Sequence, residues 1–251
     1  MRPLRNHSNS NKMKTIQKLS ILFLAAAVTA TTSVYAGNSD KTENRNVKNF
    51  SEIKVSTGID LYITMGNTEE VKVIADDDII DNLITEVKGD VLHIYMKRNN
   101  NWFNWGNMNQ TRKAYVTVKE LTAVDASSGS DVKSENTLEG ESITIDASSG
   151  SDVELDLVYK NIKLDTSSGS DAKISGKAKR LEASASSGSD IDAKALETSI
   201  CYVSVSSGSD AVVNVTDELH ADASSGGDVV YYGNPKTRDT DESSGGDVSQ
   251  R

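Results

Sequence analysis

One pentapeptide governs what this chain can fold into. SSGSD begins at Ser127, Ser148, Ser167, Ser186 and Ser206, and SSGGD at Ser224 and Ser243. The motif glycines, from Gly129 through Gly150, Gly169, Gly188, Gly208 and Gly226 to Gly245, lie 21, 19, 19, 20, 18 and 19 residues apart. A near-constant period with slips of a residue or two is the pattern of stacked coils with variable loops.

The flanks alternate. Three residues before the first Ser stand Val124, Ile145, Leu164, Ala183, Val203 and Ala221, and one residue before it Ala126, Ala147, Thr166, Ala185, Val205 and Ala223. Directly after the Asp come Val132, Val153, Ala172, Ile191, Ala211, Val229 and Val248, with polar residues between. Period-two alternation is a strand with one buried face, and this Gly- and Ser-rich period excludes a helix. The phase runs through the motif, so an extended chain places Ser128 and Ser130 inward and Ser127, Gly129 and Asp131 outward. A degenerate copy, Ser56-Thr57-Gly58-Ile59-Asp60, carries apolar Ile59 at the fourth, inward position.

A coil of 19 residues runs about 63 Å around, enough for two or three sides. One coil cannot bury its apolar stripe alone, but coils stacked in register, about 4.8 Å apart, can. The expected fold is all-β, a right-handed parallel β-helix; a row of antiparallel hairpins fits less well, because hairpin loops do not demand the same five residues each time.

Ahead of the repeats, Asp60–Met65, Glu70–Ala75, Val91–Met96 and Ala114–Val118 read as strands. Asp76-Asp77-Asp78 opens an expected short helix with Ile79, Ile80, Leu83, Ile84 and Val87 on one face and Gly89 after it, covering the open end of the solenoid. At the far end Thr240 and Glu242 replace apolar residues, as a polar cap requires.

Lys14 and Lys18 precede an apolar run, Leu19 to Ala30, and Val34-Tyr35-Ala36 offers small residues for cleavage, so residues 1–36 read as a secretory signal, with Met13 an alternative start. The organisation expected is signal 1–36, linker 37–46, an N-terminal β-rich part 47–120 with the helix and a Trp/Asn loop, and the repeat solenoid 121–251 continuous with it. Removing 1–36 takes five basic residues and no acidic one, leaving 22 against 37, a balance of −15. Such a surface repels phosphate backbones, which argues against nucleic acid and anionic lipid as partners. Cys201 is the one cysteine, so no internal disulfide forms. The expected location is the periplasm, the outer membrane surface or the exterior, with no membrane span after cleavage.

Residues 99–110, NNNWFNWGNMNQ, hold both tryptophans. Trp102, Phe103 and Trp105 read either as an aromatic plug on the solenoid face or as a contact for a surface protein or glycan.

VSTGIDLYITMGN, the acidic segment, VLHIYMK, the Trp/Asn loop, AYVTVKEL and the serial ASSGSDV, in that order over about residues 47–250, resemble the putative auto-transporter adhesin, head GIN domain family of Bacteroidetes-type envelope proteins. The resemblance implies a right-handed parallel β-helix and an adhesin-type role, with no activity attached.

An enzyme needs converging acid, base or nucleophile, and His93 and His220, the histidines beyond residue 36, sit in unrelated contexts. The sequence therefore assigns no catalytic residue, cofactor or metal ligand. Two rival chemistries stay open: a polysaccharide-binding or polysaccharide-processing β-helix, and calcium bound along the row Asp131, Asp152, Asp171, Asp190, Asp210, Asp228 and Asp247, where stacked carboxylates repel by about 1 kcal/mol per neighbour in water. The favoured reading has backbone donors and water satisfying that row. The function expected is an exported, non-catalytic structural and interaction module, self-association included among its contacts.

Overall fold

The structure is a computed structural model and describes residues 39–97 and 110–251. Among the described residues, seventeen strands join in a single hydrogen-bonded sheet. In chain order they are β1 Asp40–Arg45, β2 Glu52–Ser56, β3 Asp60–Met65, β4 Glu70–Asp76, β5 Leu83–Lys88, β6 Val91–Met96, β7 Arg112–Val118, β8 Ala123–Ser127 and β9 Asp131–Ser134. They continue with β10 Leu138–Ser148, β11 Asp152–Ser167, β12 Asp171–Ser186, β13 Asp190–Ser206, β14 Asp210–Ser224, β15 Asp228–Tyr232, β16 Thr237–Ser243 and β17 Asp247–Gln250.

From β8 onward each coil lies parallel on the one before, with motif over motif. Asp131, Asp152, Asp171, Asp190, Asp210, Asp228 and Asp247 are successive ladder partners. The result is a β-solenoid of about seven turns, and the hairpin alternative is excluded by the parallel registers. The apolar columns named from the sequence are buried, except at Val248 of the last coil, which is half-buried: Val124, Ile145, Leu164, Ala183, Val203 and Ala221 are at most 3% exposed. Stacking is what buries them, since each column is continuous only across coils.

The N-terminal end departs from simple succession. The degenerate coil β2–β3 pairs on one side with β8–β9 and on the other with β6–β7. The chain therefore lays β6–β7 outside β2–β3, then steps back across it to begin the repeats. Beyond β6–β7 the direction reverses: β5 pairs antiparallel with β6, β4 with β7, and β1 with β4. The reversal ends the parallel stack, and the charged, mostly exposed β1 (DKTENR) blunts the outer edge.

Two expectations are corrected here. The helix expected from Asp76 shrinks to one 3-10 turn, Ile80–Asn82, and its later residues form β5. Ile84, Thr85 and Val87 are β-branched and favour a strand once β6 offers a partner, with Gly89 at φ 68 turning the hairpin between them. Residues 40–45, placed in a linker by the sequence, are strand β1, and Arg45 Nη2 donates to the carbonyls of Ile80 and Leu83 at 3.2 and 3.3 Å. The proposed signal segment lies outside the described residues, among which no helix is long and apolar enough to cross a membrane.

The C-terminal end closes as expected. All of β16 is exposed, with Arg238, Thr240 and Glu242 laid over buried Leu219, Ala221 and Ala223. Arg238 Nη1 donates to the Tyr231 hydroxyl at 2.7 Å, and Glu242 Oε1 accepts from the Val248 amide at 3.2 Å. The inward charges thus find partners across the end of the interior.

Candidate functional site

The motif forms one edge of the solenoid. Its second and third residues both take left-handed backbone: Ser128 and Gly129 have φ 58 and 68, and the pair recurs to Ser244 and Gly245 at 51 and 82. Two successive left-handed residues are the centre of a type I′ turn, which is why glycine holds the third position and a small polar residue the second. This corrects the extended-chain parity at one place. Ser128 points to solvent, while Ser130 is fully buried and Asp131 exposed, as alternation requires. Ile59 of the degenerate copy is fully buried at the same inward position.

What the turn does is join coils. The Gly129, Gly150, Gly169, Gly188 and Gly208 amides each donate to the carbonyl of the second Ser in the next coil, at 3.1–3.2 Å. Amides of Asp152, Asp171, Asp190 and Asp228 donate back to the fourth-residue carbonyl of the coil before. The inward hydroxyls add a third set. Ser151 Oγ accepts from the Ser148 amide at 3.0 Å and donates to the Ala126 carbonyl at 2.9 Å. Amides of Ser151 and Ser189 donate to Oγ of Ser170 and Ser209 one coil on, at 3.3 and 3.2 Å. In the two SSGGD copies the fourth residue has no hydroxyl, and the Gly227 and Gly246 amides close their own turns on Ser224 and Ser243 at 3.0 Å. A Cβ on Gly246 would lie 2.5 Å from the Ala223 backbone, so glycine is required by the tighter turn.

Carboxylates flank this edge on both sides. On the side after the turn stands the Asp row. Asp190 and Asp210 accept from the next Asp amide at 3.2 and 3.3 Å, the backbone donor expected from the sequence. Partial burial, with Asp152 and Asp60 nearby, raises the Asp131 pKa. Beside the row runs a groove of about 540 Å³ bordered by Asp60, Tyr62, Asp131 and Lys133. On the side before the turn, Lys54, Asp125, Asp146 and Asp165 border a second groove of about 680 Å³. Lys54 pairs with Asp125, and Lys163 with Asp165 at 2.9 Å. Partial burial raises the Asp146 pKa, aided by Asp165 and Asp125. Among the described residues no three His, Cys, Asp or Glu side chains converge to hold a metal.

His93 and His220 are not brought together. His93 lies in the ladder between Glu86 and Lys54 near one end. His220 stacks on Tyr202 near the other, centroids 4.5 Å apart, and Arg180 covers the Tyr202 ring at 4.1 Å. Tyr62 and Tyr115 stack similarly at 4.9 Å beneath Lys72. The sequence reading missed both stacks. Their signal was present: Tyr202 and His220 each stand four residues before a motif, so the coils superpose them. Cys201 is fully buried, and burial pushes its thiol up to about 12. Trp102, Phe103 and Trp105 lie outside the described residues; their segment joins Met96 at the end of β6 to Arg112 at the start of β7.

A family model described as "Putative auto-transporter adhesin, head GIN domain" matches residues 49–235. The crystal structure of a putative adhesin from Bacteroides fragilis NCTC 9343 aligns with a TM-score of 0.79 at 19% identity, covering 86% of this chain and 98% of that one. A putative adhesin from Parabacteroides distasonis ATCC 8503 aligns at 0.67 and 20% identity, covering 85% and 98%. A protein from the same organism named as a putative lipid binding protein aligns at 0.66 and 18%, covering 84% and 96%. At such identities the likeness is one of fold. No curated protein matches the chain.

Proposed function

The chain belongs to the putative auto-transporter adhesin, head GIN domain family, and from that premise we propose that it is an exported, non-catalytic structural and interaction module of the cell envelope. The observation that carries this reading is how the motif is used. Ser151 accepts one backbone hydrogen bond and donates another, and the turn amides are committed to the neighbouring coils. Groups so engaged hold a rod together; they are not a nucleophile waiting for a base. The motif therefore repeats for the sake of stacking, and the variable outward rows and the Trp/Asn segment are left for recognition.

In this reading residues 1–36 direct export and are removed, 37–251 remain, and the coil is right-handed, the hand that parallel crossovers adopt almost without exception. Contact with a surface protein or glycan is made through Trp102, Phe103 and Trp105. Their segment joins β6 to β7 in sequence, and those two strands pair with β2 and β3, which the degenerate motif copy joins. A polysaccharide ligand is the second reading, favoured by the groove along Asp60, Tyr62, Asp131 and Lys133, whose carboxylates and lysine offer acceptors and a donor for sugar hydroxyls.

The test is a binding screen of residues 37–251 against immobilised glycans and matrix proteins, with the double variant Trp102→Ala/Trp105→Ala. Loss of binding at an unchanged melting temperature supports the contact. A large fall in melting temperature with binding retained assigns the aromatics to a plug. Binding that instead responds to Asp131→Asn favours the groove.

A further inference from the structure

The C-terminal coil has a neighbouring coil on one side only. Every residue of β16 is exposed, and its one ladder partner is β14. Yet β16 covers Leu219, Ala221 and Ala223, which are at most 1% exposed. What fastens it determines whether the apolar interior stays closed at this end.

His220 stands at that fastening. Its ladder neighbours are Tyr202 of β13 and Asp239 of β16. One ring face stacks on Tyr202 at 4.5 Å and 8°. Nε2 lies 2.6 Å from Glu218 Oε1 on its own strand, and Nδ1 lies 3.5 Å from Asp239 Oδ2 on the terminal strand. Both ring nitrogens therefore face carboxylates. A neutral imidazole donates from only one nitrogen and would turn a lone pair toward the other carboxylate; only the imidazolium donates to both. The other charges in reach are Arg180 of β12, on the Tyr202 ring, and Glu182, Tyr202's ladder partner. Asp222 and its partner Asp241 stand one outward row further on.

We propose that His220 is a pH-dependent clasp: as an imidazolium it ties β16 to the solenoid through Asp239, and when neutral it lets the terminal coil loosen and uncover the interior. The hydrogen bond that His220 donates to Glu218, with Asp239 adding to it, raises the His220 pKa above its ordinary 6.5. A raised histidine pKa gives stabilisation that is complete below the unfolded value and is lost as pH rises through the folded one. The clasp is thus closed in mildly acid surroundings and open in alkaline ones.

The test is amide hydrogen exchange of β16, corrected for intrinsic rates, with an NMR titration of the His220 ring, in wild type, His220→Gln and Asp239→Asn. Protection of β16 is expected to be about two- to five-fold higher near pH ~5.5 than near pH ~8.5 in wild type, the size of an exposed charge pair, and pH-independent in both variants. The β10 amides serve as the control and should not follow it. A His220 pKa at or below 6.5, a β16 protection indifferent to pH, or the same pH dependence in His220→Gln overturns the proposal.

Discussion

Ser151→Ala isolates the inward hydroxyl from everything else the motif does. Ser151 is fully buried, so the change leaves no new surface and creates a void of one oxygen. It strands the Ser148 amide, which had donated to Oγ at 3.0 Å, and the Ala126 carbonyl, which had accepted from it at 2.9 Å. A buried donor left without a partner costs about 1–3 kcal/mol. In a domain of this size each kcal/mol lowers the melting temperature by about 2–4 °C, so a fall of about 2–12 °C is expected. The control is Ser149→Ala, two residues earlier, exposed and at φ 59 in both proteins. It loses only a solvated hydroxyl and should stay within about 0.5 kcal/mol of wild type. Circular dichroism melts, with urea titrations to convert midpoints into free energies, measure both. If Ser149→Ala proves as damaging as Ser151→Ala, the division of the motif into an inner and an outer serine is wrong.

Gly176→Ala should destabilise by more than about 1 kcal/mol, because Gly176 sits at φ 110 and its added Cβ would lie 2.1 Å from the Leu157 carbonyl oxygen; a melt within error of wild type would contradict this. Asp146→Asn should raise the melting temperature at neutral pH. The Asp146 pKa is raised in the fold, so its ionisation opposes folding, and that opposition sets in as pH rises through the unfolded value of 3.8 and is complete above the folded value. The gain should therefore be absent in melts run below the unfolded value, and a gain that persists there would contradict the charge argument.

The solenoid was legible because its signal is repeated: seven motifs and three apolar columns gave the stacking direction, the buried faces and the polar C-terminal cap. Ser128 was placed on the wrong side because alternation assumes an extended chain, and two left-handed residues break that assumption locally. The N-terminal end was harder for a different reason. Nothing in the residues of β6 and β7 says that they stack outside β2–β3, since a parallel ladder looks the same from either side. The stretch Ile79 to Val87 fits a helical face as well as a strand, and only the partner β6 decides between them. The stacked Arg180, Tyr202 and His220 stayed hidden because one sequence row does not display what lies a coil away, although tabulating outward residues by their distance from each motif exposes the column.

The motif is scaffold: its hydroxyls and amides join coils, and the Asp row is carried along one edge. Melting temperature in millimolar calcium, against magnesium and chelator, tests this most directly. A site filled at 100 times its dissociation constant stabilises a fold by about 2.7 kcal/mol, or about 5–11 °C here. No shift is expected with either ion. A rise specific to calcium and reversed by chelation would contradict the scaffold role and make Asp131 and its six successors ligands.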